Sequence, residues 1–287
     1  MSALVSIVVP VFNGMPHLAD LAESLLAQTH ENLDIVFVDG GSTDESAAYL
    51  ATITDPRVRV LAMPTGTTAA QNWDAASEAA QGAFVKLICQ DDLLRPDAIA
   101  RQLSDLINNP DSVMAIAQRD VVDAKGDVLY ANRGCAGLKS GVIAGTEVLK
   151  IAYLQGTNII GEPLTVLFAR EPFMAALPWD DTDPFLLDLA FYSKVARSGD
   201  VVVRREAVGS FRVSTSSWST RLIGEQVRQF ERWQRAFEGS LVARPSASER
   251  ARAKFGLHTQ ALLRRAAYRW LRTKGSFHSS ASLDSPA

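Results

Sequence analysis

Two adjacent carboxylates, Asp91 and Asp92, follow an apolar run at residues 83–89. Such a run predicts a buried strand that gives way to a loop at the carboxylates. Like charges at a strand end repel each other unless a cation or hydrogen-bond donors compensate them, and carboxylate oxygens are ligands of divalent cations. The pair therefore indicates a cation site, although Asp-Asp pairs also occur in ordinary solvated loops.

The composition is that of a soluble globular chain. Its 287 residues are 47% hydrophobic and 21% charged, which fits one large core or one core with a smaller appended unit. A net charge of −3 and a pI near 5.9 argue against a nucleic-acid binder that works through bulk positive charge. We therefore expect small molecules or glycans, and no nucleic acid, as partners.

The two cysteines, Cys89 and Cys135, form no zinc-ligand pattern with histidine, and a reducing compartment fits them best. Residues 1–11 lack the basic start of a signal peptide, and no apolar run approaches the ~18 residues of a membrane span. These features predict a cytoplasmic protein, or one that is peripheral to the inner face of a membrane.

The first 110 residues alternate between strand and helix patterns. Strands are predicted at 4–10, 34–39, 57–63 and 83–89, and helices at 17–28, 45–53, 67–80 and 96–109. This alternation predicts a parallel, doubly wound α/β sheet whose ligand site lies beyond the carboxyl ends of the strands. The Asp pair falls at such an end.

The pattern then becomes hairpin-like. Strands are predicted at 112–122, 127–130, 164–169, 201–203 and 209–213, helices at 145–155 and 184–198, and two amphipathic helices at 221–237 and 246–273. The Ser-rich tail 275–287 is predicted to be disordered.

Six segments carry a family resemblance in the same order along the chain. They read VSIVVPVFNG, FVDGGSTDES, AAQNWDAASEAAQGAFVKLICQDDLLRP, GEPLTVLFARE, LPWDDTDPFLLDLAFYSKVARSGDV and FRVSTSSWS. From Val5 to about Ser219 the chain resembles the family 2 inverting glycosyltransferases of GT-A fold. The resemblance implies a Rossmann-like, mostly parallel central sheet flanked by helices, a smaller mixed acceptor-side sheet and C-terminal helices.

The same resemblance implies a domain plan. Residues 1–219 would be the GT-A catalytic domain, with a nucleotide half at about 1–110 and an acceptor half at about 111–219. Residues 220–274 would be a helical extension that docks on the core, pairs with a second copy as a homodimer, or lies on an anionic membrane surface. Cations interleaved with Leu, Tyr and Trp near its end suit the membrane alternative.

For the chemistry, the resemblance implies a divalent cation, Mn²⁺ or Mg²⁺, that neutralises a diphosphate leaving group. Asp92 would be its first ligand, and Asp91 a second ligand or a ribose contact. Inversion needs one carboxylate base on the acceptor side, and the resemblance assigns this role to Asp188. Its nearest rivals are Asp180, Asp181 and Asp183.

The resemblance also predicts the substrate contacts. Those of the nucleotide are Pro10, Phe12, Asn13, Asp39, Gln71, Asn72 and Asp91, with local helix capping as the alternative for Gln71 and Asn72. Those of the acceptor are Glu162, Trp179, Asp180 and Asp181, with purely structural roles equally open for Glu162 and Trp179.

Four positions depart from the family pattern. Gly40, Cys89 and Leu187 stand where relatives carry acids, and Ser214 stands where many carry a histidine. These departures leave the nucleotide base open and keep a catalytically silent sugar-nucleotide or glycan-binding subunit as an alternative.

We expect a metal-dependent inverting glycosyltransferase that moves a hexosyl-type sugar from a nucleotide-diphosphate sugar to a glycan or lipid-linked acceptor, in bacterial-type surface polysaccharide or glycolipid synthesis. A sugar-1-phosphate nucleotidyltransferase is a weaker alternative, because such an enzyme needs a Gly-rich basic loop after its first strand. The segment VFNGMPHL has neither feature.

Overall fold

Ten strands form one sheet in the computed structural model, which describes residues 2–213, 222–241 and 244–273. The strands are β1 (Val5–Val11), β2 (Leu33–Asp39), β3 (Val58–Ala62), β4 (Phe84–Leu87), β5 (Leu93–Leu94), β6 (Ser112–Val122), β7 (Val128–Arg133), β8 (Gly141–Ala144), β9 (Val166–Ala169) and β10 (Asp200–Arg212). Their order is β3-β2-β1-β4-β9-β6-β10-β5, with β7 beside β6 and β8 beside β10.

Nine α-helices are described with this sheet over the same residue ranges. They are α1 (His17–Leu26), α2 (Ser46–Leu50), α3 (Ala69–Glu78), α4 (Ala98–Ile107), α5 (Gly145–Gln155), α6 (Arg170–Ala175), α7 (Leu187–Ala196), α8 (Gln226–Ser240) and α9 (Ala247–Thr273).

The first four strands are parallel, as the alternating pattern predicted. β1 pairs with β2 on one side and β4 on the other, and β2 pairs with β3. Every residue of β1 is buried, and its alternate side chains enter two different cores, with Val8 in one and Ile7 and Val9 in the other. Helices cover both faces of the sheet, and the sequence of β1 is therefore a continuous apolar run.

The strands that were predicted for a separate acceptor-side sheet continue the same sheet. β9 lies antiparallel between β4 and β6, and β10 runs parallel to β6. The prediction of two strands at 201–203 and 209–213 was wrong, since β10 is one strand of 13 residues. Its register shifts after Arg204, where the polar residues that interrupt the apolar pattern bulge outward.

Three short elements were not predicted from the sequence. They are β5, which has two residues, β8, which lies in the Gly-rich stretch after β7, and α6. Elements of this length carry too few side chains for a periodic pattern.

The two C-terminal helices pack onto the sheet and its helices. Phe230 and Trp233 of α8 and Ala253 and Leu257 of α9 belong to the core that also contains Val8. Contact between α9 and α5 is close at Gly256, where an added Cβ would lie 2.8 Å from the carbonyl oxygens of both Leu154 and Gln155. The predicted boundary at 219 and the tail 275–287 lie outside the described residues.

We predict that Gly256→Ala lowers the free energy of unfolding by about 1–3 kcal/mol, because the added methyl group forces α9 away from α5. Gly239→Ala, also within a helix, is the matched control, because nothing lies within 4 Å of its added Cβ. Alanine favours a helix over glycine by up to about 1 kcal/mol, so the control should be neutral or stabilised. Urea unfolding of both variants measures the difference, and equal stabilities would contradict the close packing.

Candidate active site

The Asp pair lies in the tight turn between β4 and β5. The N–H of Asp92 donates to the carbonyl of Cys89 (3.2 Å), and the Asp92 side chain is fully buried. Its Oδ1 accepts from the N–H of Arg212 (3.2 Å), whereas Oδ2 has no hydrogen-bond partner among the described residues. Burial and the adjacent charge of Asp91 raise the pKa of Asp92 well above its usual range. A buried carboxylate oxygen without a donor is costly, and a bound cation would satisfy it.

The Arg212 side chain joins β10 to this turn. Its Nε donates to the carbonyl of Asp91 (3.1 Å), its Nη1 to the carbonyl of Ala124 (3.1 Å), and its Nη2 lies 3.4 Å from Oδ2 of Asp20. Burial raises the pKa of Asp91, and the guanidinium partly offsets this effect. Arg212 was not predicted as a site residue, because its role depends on a β5–β10 pairing that carries no sequence signal. Ser214 lies outside the described residues.

Hydrogen bonds tie the loops after β1, β2 and β4 together. The amide of Gln90 accepts from the N–H of Phe12 (2.7 Å) and donates to the Phe12 carbonyl (2.9 Å). Asn13 has a left-handed backbone (φ 50°), and its Oδ1 accepts from the N–H groups of Thr43 (2.8 Å) and Asp44 (3.3 Å). Phe12 is 53% exposed, so its ring is available to a ligand at the carboxyl edge of the sheet.

The remaining predicted nucleotide contacts surround the same edge. Pro10 is buried within β1, and Asp39 ends β2 and accepts from the N–H and hydroxyl of Ser42. Gln71 completes a capping box with Thr68 at the start of α3, which supports the capping alternative for Gln71.

Asn72 explains the departure at Gly40. Its Nδ2 donates to the carbonyl of Val11 (3.0 Å) and lies 2.8 Å from the position of an added Cβ on Gly40. An acidic side chain at position 40 would therefore displace the amide. The Oδ1 atom of Asn72 is buried and has no hydrogen-bond partner among the described residues.

A cavity of about 850 Å³ opens beside the Asp pair, and Asp91, Glu162 and Asp188 all line it. Asp188 lies in the first turn of α7, where its Oδ2 accepts from Nδ2 of Asn158 (2.9 Å) and its Oδ1 from the N–H of Leu189 (2.6 Å). Burial raises the pKa of Asp188 to about 7, and the charge of Glu162 adds to this rise. The structure thus brings the predicted base and the predicted cation site to one cavity.

Glu162 is held at the cavity wall by an ion pair. Nη2 of Arg119 donates to its Oε1 (2.7 Å), and the Nε of Arg119 lies 2.5 Å from its Oε2. Neither Arg119 nor Asn158 was predicted, since each lies far in sequence from the carboxylate that it contacts.

The other predicted acceptor residues lie away from the cavity. Trp179 is 4% exposed, its Nε1 donates to Oγ of Ser77 (2.9 Å), and its ring stacks on Phe191 with centroids 3.8 Å apart. Asp180 and Asp181 are not part of the cavity wall either. Trp179 is therefore a core residue. Its residue type alone did not distinguish this structural role from an acceptor contact.

The described residues supply only part of the ligand set that a divalent cation needs. Within residues 2–213, 222–241 and 244–273, no cluster of three or more His, Cys, Asp or Glu side chains is arranged for a metal ion. Mg²⁺ and similar ions are commonly held by one or two carboxylates together with substrate phosphates. Asp92, with its unpartnered Oδ2, and the neighbouring Asp91 fit that mode of binding.

In doubly wound α/β sheets, nucleotides commonly bind in a crevice at the carboxyl ends of the strands, which is where this cavity and its carboxylates lie. Residues 6–155, just over half of the chain, match the family model for glycosyl transferase family 2. The chain belongs to this family, and it has the GT-A fold.

Curated relatives share part of the chain. Glycosyltransferase GlyG of Streptococcus pneumoniae serotype 4 is 36% identical over 103 residues, or 34% of each protein. The succinoglycan biosynthesis protein ExoO of Rhizobium meliloti is 31% identical over 122 residues, 42% of this chain and 35% of ExoO. The matched region thus spans about a third of the length of these relatives.

Two solved structures share the fold over nearly the whole chain. TarS of S. aureus with UDP-GlcNAc has a TM-score of 0.66 at 14% identity, covering 96% of this chain and 75% of TarS. The mannosyltransferase PcManGT from Pyrobaculum calidifontis, with GDP-Man and Mn²⁺, has a TM-score of 0.62 at 18% identity, covering 99% and 77%. Among the helices described above, none has the length and apolarity to cross a membrane.

We predict that Arg212→Leu lowers the free energy of unfolding by about 2–3 kcal/mol, because it removes a buried guanidinium that donates to the carbonyls of Asp91 and Ala124. Arg101→Leu is the control, since Arg101 pairs with Asp97 and Glu206, whose side chains are 41% and 58% exposed. Its loss should stay below about 1 kcal/mol. Urea unfolding compares the two variants, and equal losses would show that Arg212 does not hold the turn.

Proposed function

We propose that the protein is a metal-dependent inverting glycosyltransferase that moves a hexosyl-type sugar from a nucleotide-diphosphate sugar to the hydroxyl of a glycan or lipid-linked acceptor. The observation that carries this proposal is the placement of Asp91 and Asp188 on one cavity, beside the unpartnered carboxylate oxygen of Asp92. The donors and the Mn²⁺ bound to TarS and PcManGT support the substrate class. The name of ExoO supports a role in surface polysaccharide or glycolipid synthesis.

Asp92 and Asp91 would hold Mn²⁺ or Mg²⁺. Such an ion, when bound, neutralises the negative charge that develops on the diphosphate leaving group. Arg212 keeps the turn between β4 and β5 in place, so that both carboxylates stay at the carboxyl edge of the sheet. Asp39, Phe12 and Asn13 border the space in which a nucleoside would lie.

Asp188 would accept the proton of the attacking hydroxyl. A general base works best with a pKa near the working pH, and the pKa of Asp188 is raised to about 7. The hydrogen bond from Asn158 fixes the orientation of its Oδ2. Glu162 lines the same cavity and is available to an acceptor hydroxyl, while Arg119 compensates its charge.

A catalytically silent binding subunit is the alternative from a different class. An assay of Mn²⁺-dependent hydrolysis of common sugar nucleotides separates the two functions, because the enzyme should release nucleoside diphosphate. Retained binding without turnover of any common donor would overturn the enzymatic function.

The cytoplasmic location stays a prediction, with which the two free cysteines are compatible.

We predict that Asp92→Asn abolishes the Mn²⁺-dependent rise in melting temperature with nucleoside diphosphates without lowering the melting temperature of the free protein at pH 8. The pKa of Asp92 is raised in the folded state above its usual 3.8, so ionisation of this carboxyl costs stability as the pH rises above about 4. Asparagine removes that charge, whereas a ligand that binds only the native state stabilises it. Differential scanning fluorimetry measures both effects. A normal Mn²⁺ response in the variant would exclude Asp92 as a ligand.

We predict that transfer activity falls as the pH drops below about 7, because Asp188 accepts a proton only when it is ionised. Asp188→Asn should lower kcat by about 10²-fold or more, while the affinity for nucleoside diphosphate changes little. A pH–rate profile and isothermal titration measure these two quantities. Asp180→Asn is the control, since Asp180 lies outside the cavity wall, and normal transfer by Asp188→Asn would refute the assignment of the base.

A further inference from the structure

The outer face of α9 carries exposed apolar side chains. Phe255 is 74% exposed and Leu262 is 69% exposed. Because they are seven residues apart in a helix, they lie on one face, opposite the buried residues Ala253, Leu257 and Ala261. An apolar stripe of this kind on a long helix is an unpaired surface among the residues that the structure describes.

Positive charge flanks this stripe. Lys254, Arg265 and Arg269 are all exposed on α9. The helix as a whole has seven Lys and Arg residues and one Glu, a net charge of +6 (7 − 1). The full chain has a net charge of −3, so the rest of it carries −9 (−3 − 6). The net charge of α9 is thus positive while that of the rest of the chain is negative, and α9 is the helix that carries the apolar stripe.

A third face of α9 forms part of the cavity wall. Gln260, Leu263, Arg264 and Ala267 line the same cavity as Asp188 and Glu162. Leu263 is also 57% exposed, so it lies where the cavity wall meets the surface of the helix. Whatever contacts the outer face of α9 therefore lies next to the wall of this cavity.

We propose that the outer face of α9 docks on the anionic surface of a membrane and presents the cavity to a lipid-linked acceptor. Helices with an apolar stripe and flanking cations bind in the interface of anionic bilayers, and lipid headgroups attract clustered Lys and Arg residues. A second copy suits this face less well, because two-fold pairing of the stripe would bring the cations of both helices together. The choice of a lipid-linked acceptor rests on the proposed function, whereas the docking itself does not.

Co-sedimentation of the full chain with lipid vesicles tests the proposal. Vesicles of phosphatidylcholine mixed with phosphatidylglycerol should bind the protein. With vesicles of phosphatidylcholine alone, the bound fraction should be lower by a factor of about five or more. Added salt should reduce the binding, because salt screens the attraction between the charges.

Variants at exposed positions outside the cavity wall identify the face. Phe255→Ser combined with Leu262→Ser, and separately Arg265→Glu, should each reduce the bound fraction about five-fold or more. The matched controls are Ile107→Ser, at a 55% exposed apolar residue, and Lys139→Glu, at an exposed cation. Both controls should bind as the unmodified protein does.

Hydrolysis of the donor in solution is measured on the same variants and should be unchanged, so that a failure of docking is distinguishable from a failure of catalysis. Equal binding to both vesicle types, or normal binding by the α9 variants, would overturn the proposal. Self-association in solution that the α9 variants abolish, without any vesicle binding, would assign this face to a second copy and overturn it as well.

Discussion

The burial of the Asp92 carboxylate is the constraint on which the rest of the site depends. The group lies at the end of a buried strand, next to a second carboxylate, and only one of its oxygens has a donor among the described residues. An arrangement that costs stability in this way persists only where the surrounding structure holds it. The surroundings that hold it are Arg212 and the β5–β10 pairing, so the turn after β4 is fixed by a strand that lies far later in the chain.

The Asp pair and Asp188 lie in different electrostatic environments. The negative charge of the Asp pair is partly offset by the buried side chain of Arg212, whereas Asp188 has only neutral hydrogen-bond donors from Asn158 and the backbone. Burial nevertheless raises the pKa values of Asp92 and Asp188 alike. A cation beside Asp91 would also reduce the repulsion among the cavity carboxylates, so occupancy of the donor site and ionisation of Asp188 would favour each other.

The sequence predicted the parallel half of the fold well, because buried strands and amphipathic helices alternate there. It also predicted strand 112–122 and helix 145–155 with the bounds that the structure shows. Side chains that act through tertiary contacts were not predictable, since Arg212, Arg119 and Asn158 contact acidic residues 30 to 121 positions away. Trp179 shows the converse, because an acceptor contact and a purely structural role were equally open from the sequence, and the structure stacks its ring on Phe191 in the core.

Three of the departures from the family pattern have local physical explanations that do not require loss of activity. At Gly40 the amide of Asn72 already fills the space of a side chain. Leu187 is 3% exposed and packs in the core, where an ionised acid would be costly. Burial and the nearby Asp92 and Asp91 charges raise the pKa of the Cys89 thiol well above its usual range, so it stays neutral. An aspartate there would add a third charge beside two buried carboxylates, and the smaller acid count is therefore compatible with the proposed cation site, which would use few protein ligands.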